Sequence, residues 1–250
     1  MSEDKPFHKT AAGKVFLSLL GIVFLFFLLF GAKVVYYSYQ LEYGNQDAKK
    51  ELVKKFEGGF SSSKKITKKA KGKKLNKRKV QSIIRDYNPK YGSGKQVTIV
   101  AFMDFECPFC QKQYSDLKKI MNTYQPAITV VFKHFPLTSI HPHARQAAIA
   151  STCAQEQDKF WKFYDKIFER KQFNRSAYLK IARDLSLNIE QFKTCFDKQK
   201  YLKRVKKDLA DGISVGVKGT PTFIVNNKKI QGVLSKKQWR EIILKEIKDE

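Results

Sequence analysis

Acidic residues are scarce in this chain of 250 residues, where 23 Asp and Glu oppose 49 Lys and Arg. The formal net charge of +26 suggests contact with nucleic acid or with an anionic membrane surface. The chain lacks, however, any zinc-finger, helix-turn-helix or aromatic-rich strand motif that would support nucleic-acid recognition. We therefore expect no nucleic-acid partner, and we interpret the lysines as a solvated surface together with a charged tether.

Cysteine is also scarce, and the chain has four: Cys107, Cys110, Cys153 and Cys195. A structural zinc site needs four ligands, which usually include a second close pair of cysteines. The last two cysteines lie far apart in the sequence, so we expect no metal site. An even count is compatible with two disulfides in an oxidising compartment.

A long apolar run is found near the N-terminus. Residues 15–32 are almost wholly apolar and, because Lys33 can snorkel, the run extends through a tyrosine cluster to residue 39. A bilayer span needs about 20 residues, and tyrosines suit its interface. A buried core helix would be less uniformly apolar, and a signal peptide would be shorter, with a better cleavage site. We predict an N-terminal tail at 1–14 and an uncleaved single-pass transmembrane anchor at 15–39.

Residues 40–83 are predicted to be a basic stalk or linker. Residues 58–63 form a flexible Gly/Ser hinge, and residues 64–79 contain ten Lys or Arg and no acid. Too few apolar residues are present for this segment to fold by itself. Two interpretations remain open, a solvated stalk and a segment that contacts lipid headgroups.

The two closest cysteines lie between a predicted strand and a predicted helix. An apolar run with β-branched residues at 97–103 precedes Cys107 and Cys110, and a helical pattern follows to about residue 124. Free backbone N–H groups and the helix dipole favour a thiolate at a helix N-terminus. Cys107 is therefore a candidate nucleophile toward disulfides, and Cys110, one helical turn later, a candidate resolving thiol.

The remaining pattern predicts an α/β domain. Beyond the strand and helix just described, the predicted elements are a strand at 127–135, a helical block at 144–211, strands at 222–225 and 229–233, and a last helix capped by Ser235. This order indicates helices packed on a small mixed sheet. We place the domain at residues 84–250.

This element order, the Cys-Pro-Phe-Cys turn at 107–110 and the late Gly-Thr-Pro-Thr-Phe segment at 219–223 resemble the thioredoxin superfamily. The resemblance is closest to DsbA-like thiol:disulfide oxidoreductases, which carry a helical insertion where residues 144–211 lie. Further similar stretches are at 134–137, 141–144, 153–161 and 216–219. The resemblance implies a thioredoxin-like α/β fold, a mixed sheet with an inserted helical subdomain, here preceded by a single transmembrane helix. It also implies that the redox-active disulfide works without any other cofactor.

Within the cysteine turn, the resemblance implies distinct roles. Cys107 would exchange with substrate sulfurs, and Cys110 would resolve the mixed disulfide. Pro108 and Phe109 would tune thiolate stability, since a cation between the cysteines favours the thiolate and a stable reduced form makes a stronger oxidant. Phe109 lacks this charge, so we expect a less extreme oxidant than family members with histidine at this place.

The resemblance also implies a substrate-binding loop at Thr220 and Pro221. Pro221 is expected to follow a cis peptide bond, which proline alone makes accessible. The main chain of Thr220 would then lie beside the sulfurs and offer hydrogen bonds to an extended substrate strand. The alternative is an ordinary trans proline that opens an edge strand.

In one respect the chain departs from the family pattern. Many members carry a buried acid six residues before the first cysteine, which can relay protons for the resolving thiol, and here that residue is Ala101. Asp104 and Glu106 are nearer in sequence, but as negative charges they can raise the pKa of a nearby thiol. The route of proton transfer therefore stays open.

Outside the turn, fewer roles are expected. Some relatives carry a second bridge, so the resemblance favours a structural disulfide between Cys153 and Cys195, with two buried free thiols as the alternative. The histidines are expected to cap or pack rather than to transfer protons: His134, His141 and His143. We predict no functional role for any other residue outside the turn and the Thr220–Pro221 loop.

Together these inferences predict a membrane-anchored thiol:disulfide oxidoreductase that donates the Cys107–Cys110 disulfide to folding proteins. Lysines flank the anchor on both sides and leave its orientation open. We place the domain outside the cytoplasm, because a thiol-oxidising site and paired cysteines suit that compartment. The expected partners are protein thiols, the membrane and a membrane-bound redox partner. The alternatives are a disulfide reductase or isomerase, and a non-catalytic thioredoxin-fold binding module.

Overall fold

The computed structural model describes residues 28–30, 32 and 73–249. The chain divides into two units, Met1–Lys65 and Ile66–Glu250. In the first unit the four described residues are helical and exposed. Among the described residues, no helix has both the length and the apolar character that a membrane span requires. The predicted tail at 1–14, the linker up to residue 72 and nearly all of the predicted anchor at 15–39 lie outside the described residues.

In the second unit, six strands form one mixed sheet in the order β1–β6–β5–β3–β4–β2. β3 and β4 pair in parallel, and the other neighbouring pairs in this sheet are antiparallel. The predicted α/β class is confirmed. The strands are β1 Lys73–Lys74, β2 Lys90–Tyr91, β3 Val97–Met103, β4 Ile128–His134, β5 Thr222–Val225 and β6 Lys228–Gln231.

Except for the first, which was not predicted, the helices of this unit lie close to the segments predicted to be helical. Most of the eight begin at polar caps or at proline. Asn174 and Asn188 each accept a backbone N–H from the first turn of a helix, and Ser235 forms a capping box with Gln238. The helices are α1 Lys77–Ile83, α2 Pro108–Tyr124, α3 Ala144–Gln155, α4 Phe160–Arg170, α5 Arg175–Asp184, α6 Ile189–Asp197, α7 Leu202–Ser214 and α8 Lys236–Lys248.

The predicted helical block is inserted between β4 and β5 as α3 to α7, and it ends at Ser214 rather than at residue 211. Cys153 of α3 and Cys195 of α6 form a disulfide with an S–S distance of 2.03 Å. Both cysteines are buried. The bridge therefore ties two helices inside the insertion, and it lies outside the cysteine turn at 107–110.

Both faces of the central strands are buried. On one face Ile99 and Ala101 of β3 and Phe132 of β4 belong to a large core with residues of α2, α8 and the insertion. On the other face Val100 and Phe102 pack with residues of α1 and of the segment after α7. A parallel strand pair needs such cover on both sides, because neither face can meet water.

The cover on the second face corrects one boundary that we predicted from the sequence. Residues 73–83 were assigned to the linker that ended at 83, yet they form β1 and α1. Val80 and Ile83 of α1 are buried in the second core cluster. The two residues of β1 join the sheet through backbone pairing with β6, which needs no apolar side chain. Both elements were missed because a lysine-rich composition is typical of a solvated linker.

A buried ion network fastens α1 and the segment after it to the sheet. The fully buried Lys133 Nζ of β4 lies 2.7 Å from Asp208 Oδ1 and 2.8 Å from Asp211 Oδ2 of α7. Asn88 Nδ2 donates to Asp208 at 3.0 Å, and Arg85 pairs with Asp211 at 2.9 Å. A lysine can remain charged in a core when carboxylates and carbonyls satisfy it in this way.

We expect Lys133→Met to destabilise the domain strongly, because it leaves Asp208 and Asp211 in the core without their buried cation. Removing one partner of a buried pair costs about 3–5 kcal/mol. Urea unfolding at neutral pH measures the loss. Lys206→Met, on the exposed side of α7, is the matched control. A loss below about 1 kcal/mol for Lys133→Met, the range of an exposed pair, would show that the network contributes little to stability.

His134 at the end of β4 is a packing residue in this structure, as the sequence predicted. Its ring lies among Phe105, Phe132 and Phe160, and neither ring nitrogen has a hydrogen-bond partner among the described residues. Burial lowers its pKa to about 4. The ring is therefore neutral in the folded protein at any pH well above that value.

This buried imidazole predicts a pH-dependent loss of stability. The unfolded chain binds a proton at His134 near its ordinary pKa of 6.5, whereas the folded chain does so only near 4. The free energy of unfolding therefore falls as the pH drops from 6.5 to 4, by about 3 kcal/mol from this group. Urea unfolding across this range should show a steeper loss for the wild type than for His134→Leu, and parallel curves would contradict the assignment.

Candidate active site

The cysteine turn lies where β3 passes into α2. β3 ends at Met103, and α2 begins at Pro108 with Cys107 as its N-cap residue in an extended conformation. Proline suits the first helical position because its missing N–H would have no partner there. The first turn of α2 has no acidic residue. The Cys107 thiol therefore lies at the positive end of the helix dipole with no carboxylate from that turn beside it.

The Thr220–Pro221 loop lies directly opposite Cys107. Antiparallel pairing of β3 with β5 places Thr222 beside Phe102, so the residues before β5 meet the loop after β3. The Thr220–Pro221 peptide bond is cis. Cys107 Sγ lies 3.4 Å from the carbonyl oxygen of Thr220 and can donate its thiol hydrogen to it. The two segments that the sequence singled out are thus in contact.

The two thiols are free, buried and electrostatically different. A hydrogen bond with the Cys110 thiol, assisted by one from the Cys110 backbone N–H, lowers the pKa of Cys107 to about 6 and outweighs the opposing effect of burial. Burial raises the pKa of Cys110 well above its ordinary value, and the hydrogen bond with Cys107 adds to the rise. One sulfur is therefore prepared to be a thiolate near neutral pH while the other holds its proton.

Pro108 and Phe109 lie between the cysteines on the surface side of the turn. Pro108 is exposed, whereas Phe109 is half-buried and packs against the main core. Neither side chain carries charge. The lowered pKa of Cys107 therefore comes from hydrogen bonds rather than from a cation inside the turn.

At the position where many family members carry a buried acid, this chain has an apolar core residue. Ala101 is fully buried and pairs with Phe132 of β4 and Phe223 of β5. The loop that follows is held by Phe105, which stacks on Phe132 and also contacts Phe168 of α4. The helical insertion thus supports the cysteine turn through aromatic packing.

Sequence reasoning missed a pair of side chains beside the thiols. The Asp104 carboxylate is fully buried, and its Oδ2 lies 2.8 Å from Nδ1 of His141. The backbone N–H of Asp104 donates to Cys110 Sγ at 3.4 Å. His141 was expected to cap or pack, because the linear sequence does not show that the segment after β4 returns to the end of β3. His143, by contrast, is exposed and meets Glu106 through its backbone N–H.

Within the described residues, no group of three or more His, Cys, Asp or Glu side chains is placed to hold a metal ion. The chemistry that this arrangement offers is sulfur exchange. A nucleophilic thiol, a protonated partner thiol and an adjacent backbone carbonyl all meet at the start of α2.

Solved structures share this fold. A thioredoxin-like oxidoreductase from Silicibacter pomeroyi DSS-3 has a TM-score of 0.61 at 22% identity and covers 70% of this chain and 99% of its own. The thiol-disulfide exchange protein alpha-DsbA2 from Wolbachia pipientis has a TM-score of 0.60 at 20% identity, over 68% and 94% of the two chains. Oxidised BdbD from Bacillus subtilis has a TM-score of 0.59 at 25% identity, over 71% and 97%.

Among curated proteins, the Na(+)/H(+) antiporter NhaA 3 of Salinispora tropica is 33% identical over 137 residues. The match covers 54% of this chain and 21% of the antiporter. The chain thus matches about a fifth of the length of this relative. The similarity concerns one segment of a longer protein and carries no transport function to this chain.

A family model described as Thioredoxin matches residues 93–245. The match extends from the residues before β3 into α8 and therefore includes the cysteine turn, the insertion and the cis-proline loop. It covers more than half of the chain. The chain belongs to the thioredoxin family.

Proposed function

We propose that this member of the thioredoxin family, a thiol:disulfide oxidoreductase, donates its Cys107–Cys110 disulfide to thiols of folding proteins outside the cytoplasm. The observation that carries the proposal is the divergence of the two thiol pKa values, lowered to about 6 for Cys107 and raised for Cys110. Titratable partners with pKa values moved apart mark the division of roles in a reactive site. The names of the solved relatives support the same class.

In the donating direction, a substrate thiolate attacks Cys107 Sγ of the oxidised pair. The new bond is a mixed disulfide, and the Cys107–Cys110 bond breaks with its electron pair on Cys110. Because the pKa of Cys110 is high, this sulfur then takes up a proton. A second substrate thiolate attacks the substrate sulfur and releases Cys107 as a thiolate. The substrate dithiol is oxidised to a disulfide, and the enzyme is left as a dithiol.

The nature of the leaving group supports the proposed direction. A thiol of low pKa departs readily, and a stabilised thiolate favours the reduced enzyme, so the oxidised enzyme tends to give its disulfide away. The Cys107 environment therefore favours donation over reduction of substrates. Phe109 supplies no cation, so the tendency is weaker than a charged residue at that position would give. Reduction and isomerisation of disulfides are the alternatives within the same chemistry.

The Thr220–Pro221 loop is the proposed contact for the substrate backbone. Its Thr220 carbonyl faces the exchanging sulfur, and Thr222 holds the loop by donating from Oγ1 to the Gly219 carbonyl at 2.6 Å. A substrate strand that extends beside this loop would bring its cysteine to Cys107. Recognition through the main chain accepts many sequences, which suits an enzyme that acts on unfolded chains.

The proposed location is the outer side of the cell membrane. The apolar run at 15–39 is long enough to anchor the chain. The buried Cys153–Cys195 disulfide supports an oxidising compartment, where structural disulfides persist. After each donation, the Cys107–Cys110 dithiol must be reoxidised, and we propose a membrane-bound redox partner for this step.

The enzyme proposal predicts that Cys110→Ala accumulates mixed disulfides at Cys107 in cells, because the resolving thiol is gone. Acid quenching followed by non-reducing electrophoresis and mass spectrometry identifies the trapped chains. The matched control is Cys107→Ser/Cys110→Ala, which keeps the fold and removes the exchanging sulfur.

The trapped species distinguish the alternatives. Trapped exported proteins support disulfide donation or isomerisation, and a trapped membrane electron donor supports the reductase alternative. No trapped species in Cys110→Ala, together with full cellular function of Cys107→Ser, would contradict an enzyme and support the binding module.

The location proposal predicts that the full chain stays in the membrane pellet after an alkaline carbonate wash, whereas a variant without residues 2–39 is released. In cells stripped of their outer envelope layers but with an intact cytoplasmic membrane, added trypsin should digest the domain, because the domain faces outward. A cytoplasmic protein of the same cells is the control for leakage. Protection of the domain until lysis would overturn the proposed orientation.

A further inference from the structure

We propose that His141 is a positioning residue for Cys107: its protonated ring pairs with the buried Asp104 carboxylate, cancels that charge and thereby stabilises the Cys107 thiolate. The consequence for redox poise rests on the proposed function, whereas the electrostatic coupling itself does not. His141 would then supply, from outside the cysteine turn, the positive charge that Phe109 does not supply inside it.

The Asp104 carboxylate is fixed in one orientation. Its Oδ1 accepts the backbone N–H of Glu106 at 2.9 Å, and its Oδ2 accepts the backbone N–H of Leu137 at 2.9 Å and faces Nδ1 of His141 at 2.8 Å. The side chain has no exposed surface. A charged hydrogen-bond partner is the strongest available compensation for a carboxylate in such a place.

The backbone of Asp104 is hydrogen-bonded to both cysteines, to the sulfur of one and to the backbone of the other. Its N–H donates to Cys110 Sγ at 3.4 Å, and its carbonyl accepts the Cys107 N–H at 3.3 Å. The negative charge of Asp104 therefore lies in the loop that carries the reactive sulfur, where it acts to raise the pKa of Cys107. Charges a few ångströms apart interact strongly when water is excluded between them.

His141 is suited to cancel this charge. Its side chain is 12% exposed, so it can exchange a proton with water while its Nδ1 stays on Asp104. Burial acts to lower its pKa, but the hydrogen bond and the charge of Asp104 outweigh burial and raise the pKa above its usual value. Because the pKa of His141 lies above its ordinary value, the ring favours its cationic form near pH 6, where the Cys107 thiol with a pKa of about 6 is half ionised.

Other titratable groups also act on this site, and the experiment must separate them from His141. Glu106 and the Cys107 thiolate favour the protonated ring. The neutral His134 also interacts with Asp104, and the buried phenol of Tyr164 interacts with Cys110. None of these is removed by a substitution at 141, so a change in Cys107 reports on His141 alone.

The experiment compares His141→Gln with the wild type as the reduced full chain, without substrate. The alkylation rate of Cys107, located by mass spectrometry, is followed against pH and gives its pKa. We expect His141→Gln to raise this pKa by about one unit, which lowers the rate at about pH 5 roughly tenfold. At a pH well above 7, where the thiol is ionised in both chains, the same tenfold loss of thiolate stability should make the potential of the pair about 30 mV more negative in equilibrium with glutathione.

Three further variants decide the cause. His143→Gln, an exposed histidine two residues away, should leave the Cys107 pKa unchanged. His141→Lys restores a cation and should return the pKa toward the wild-type value, which a purely structural role of the ring does not predict. In an Asp104→Asn background, His141→Gln should have little further effect, because no carboxylate remains to be cancelled.

An unchanged Cys107 pKa in a folded His141→Gln, or an equal rise with and without the Asp104 carboxylate, would overturn the inference. If His141→Gln fails to fold, a His141→Lys chain that folds with a wild-type pKa supports it, and one with a raised pKa overturns it. Because no substrate is present, a chain that fails to trap substrates in cells can still pass this test. The two proposals therefore fail separately.

Discussion

The parallel pairing of β3 with β4 is the constraint on which the rest of this domain depends. It brings Met103 and His134, the last residues of the two strands, to the same edge of the sheet. The loop that carries Asp104 and Cys107 and the segment that carries His141 therefore begin side by side. Because both faces of the pair are apolar, both are covered: one by α2, α8 and most of the insertion, the other by α1 and the end of the insertion at α7. Helix α7 packs closely against the residues after β4, since a Cβ at Gly212 would come within 2.6 Å of the Phe135 ring.

The site gains its chemistry from an asymmetry between two identical side chains. Cys107 ends an extended segment at a helix N-terminus, whereas Cys110 lies one turn inside the helix and against the core. The first position offers hydrogen bonds that a thiolate can accept, and the second offers a medium in which a charge is costly. The same backbone that makes the strand-to-helix turn thus distinguishes the two sulfurs. The cis-proline loop is placed against the first sulfur by the register of β3 with β5.

Much of this could be predicted from the sequence, because local patterns and a family resemblance were both strong. Apolar, β-branched runs indicated β3 and β4, and the helical spacing of apolar residues indicated most helices. The turn at 107–110 and Pro221 indicated the two segments that face each other. Two kinds of feature could not be predicted. β1 consists of two lysines that join the sheet by backbone pairing, and the largely polar α1 contributes only two apolar side chains to the core, so composition pointed to a solvated linker. The Asp104–His141 pair and the Lys133 network join residues that are distant in sequence. A single sequence contains no local pattern that links such positions.

The short strand β1 has a consequence for how the domain tolerates its surroundings. It occupies the outer edge of the sheet beside β6, and its exposed Lys74 projects from a place where another extended chain would add. Charged lysines on an edge strand discourage such addition, because a newcomer must bury or repel them. If the protein acts on unfolded chains as proposed, it meets unpaired strands at high local concentration. The charged edge at β1 is separate from the cysteine turn. It therefore opposes the pairing of substrate strands with the sheet, and hence aggregation, without blocking access to the sulfurs.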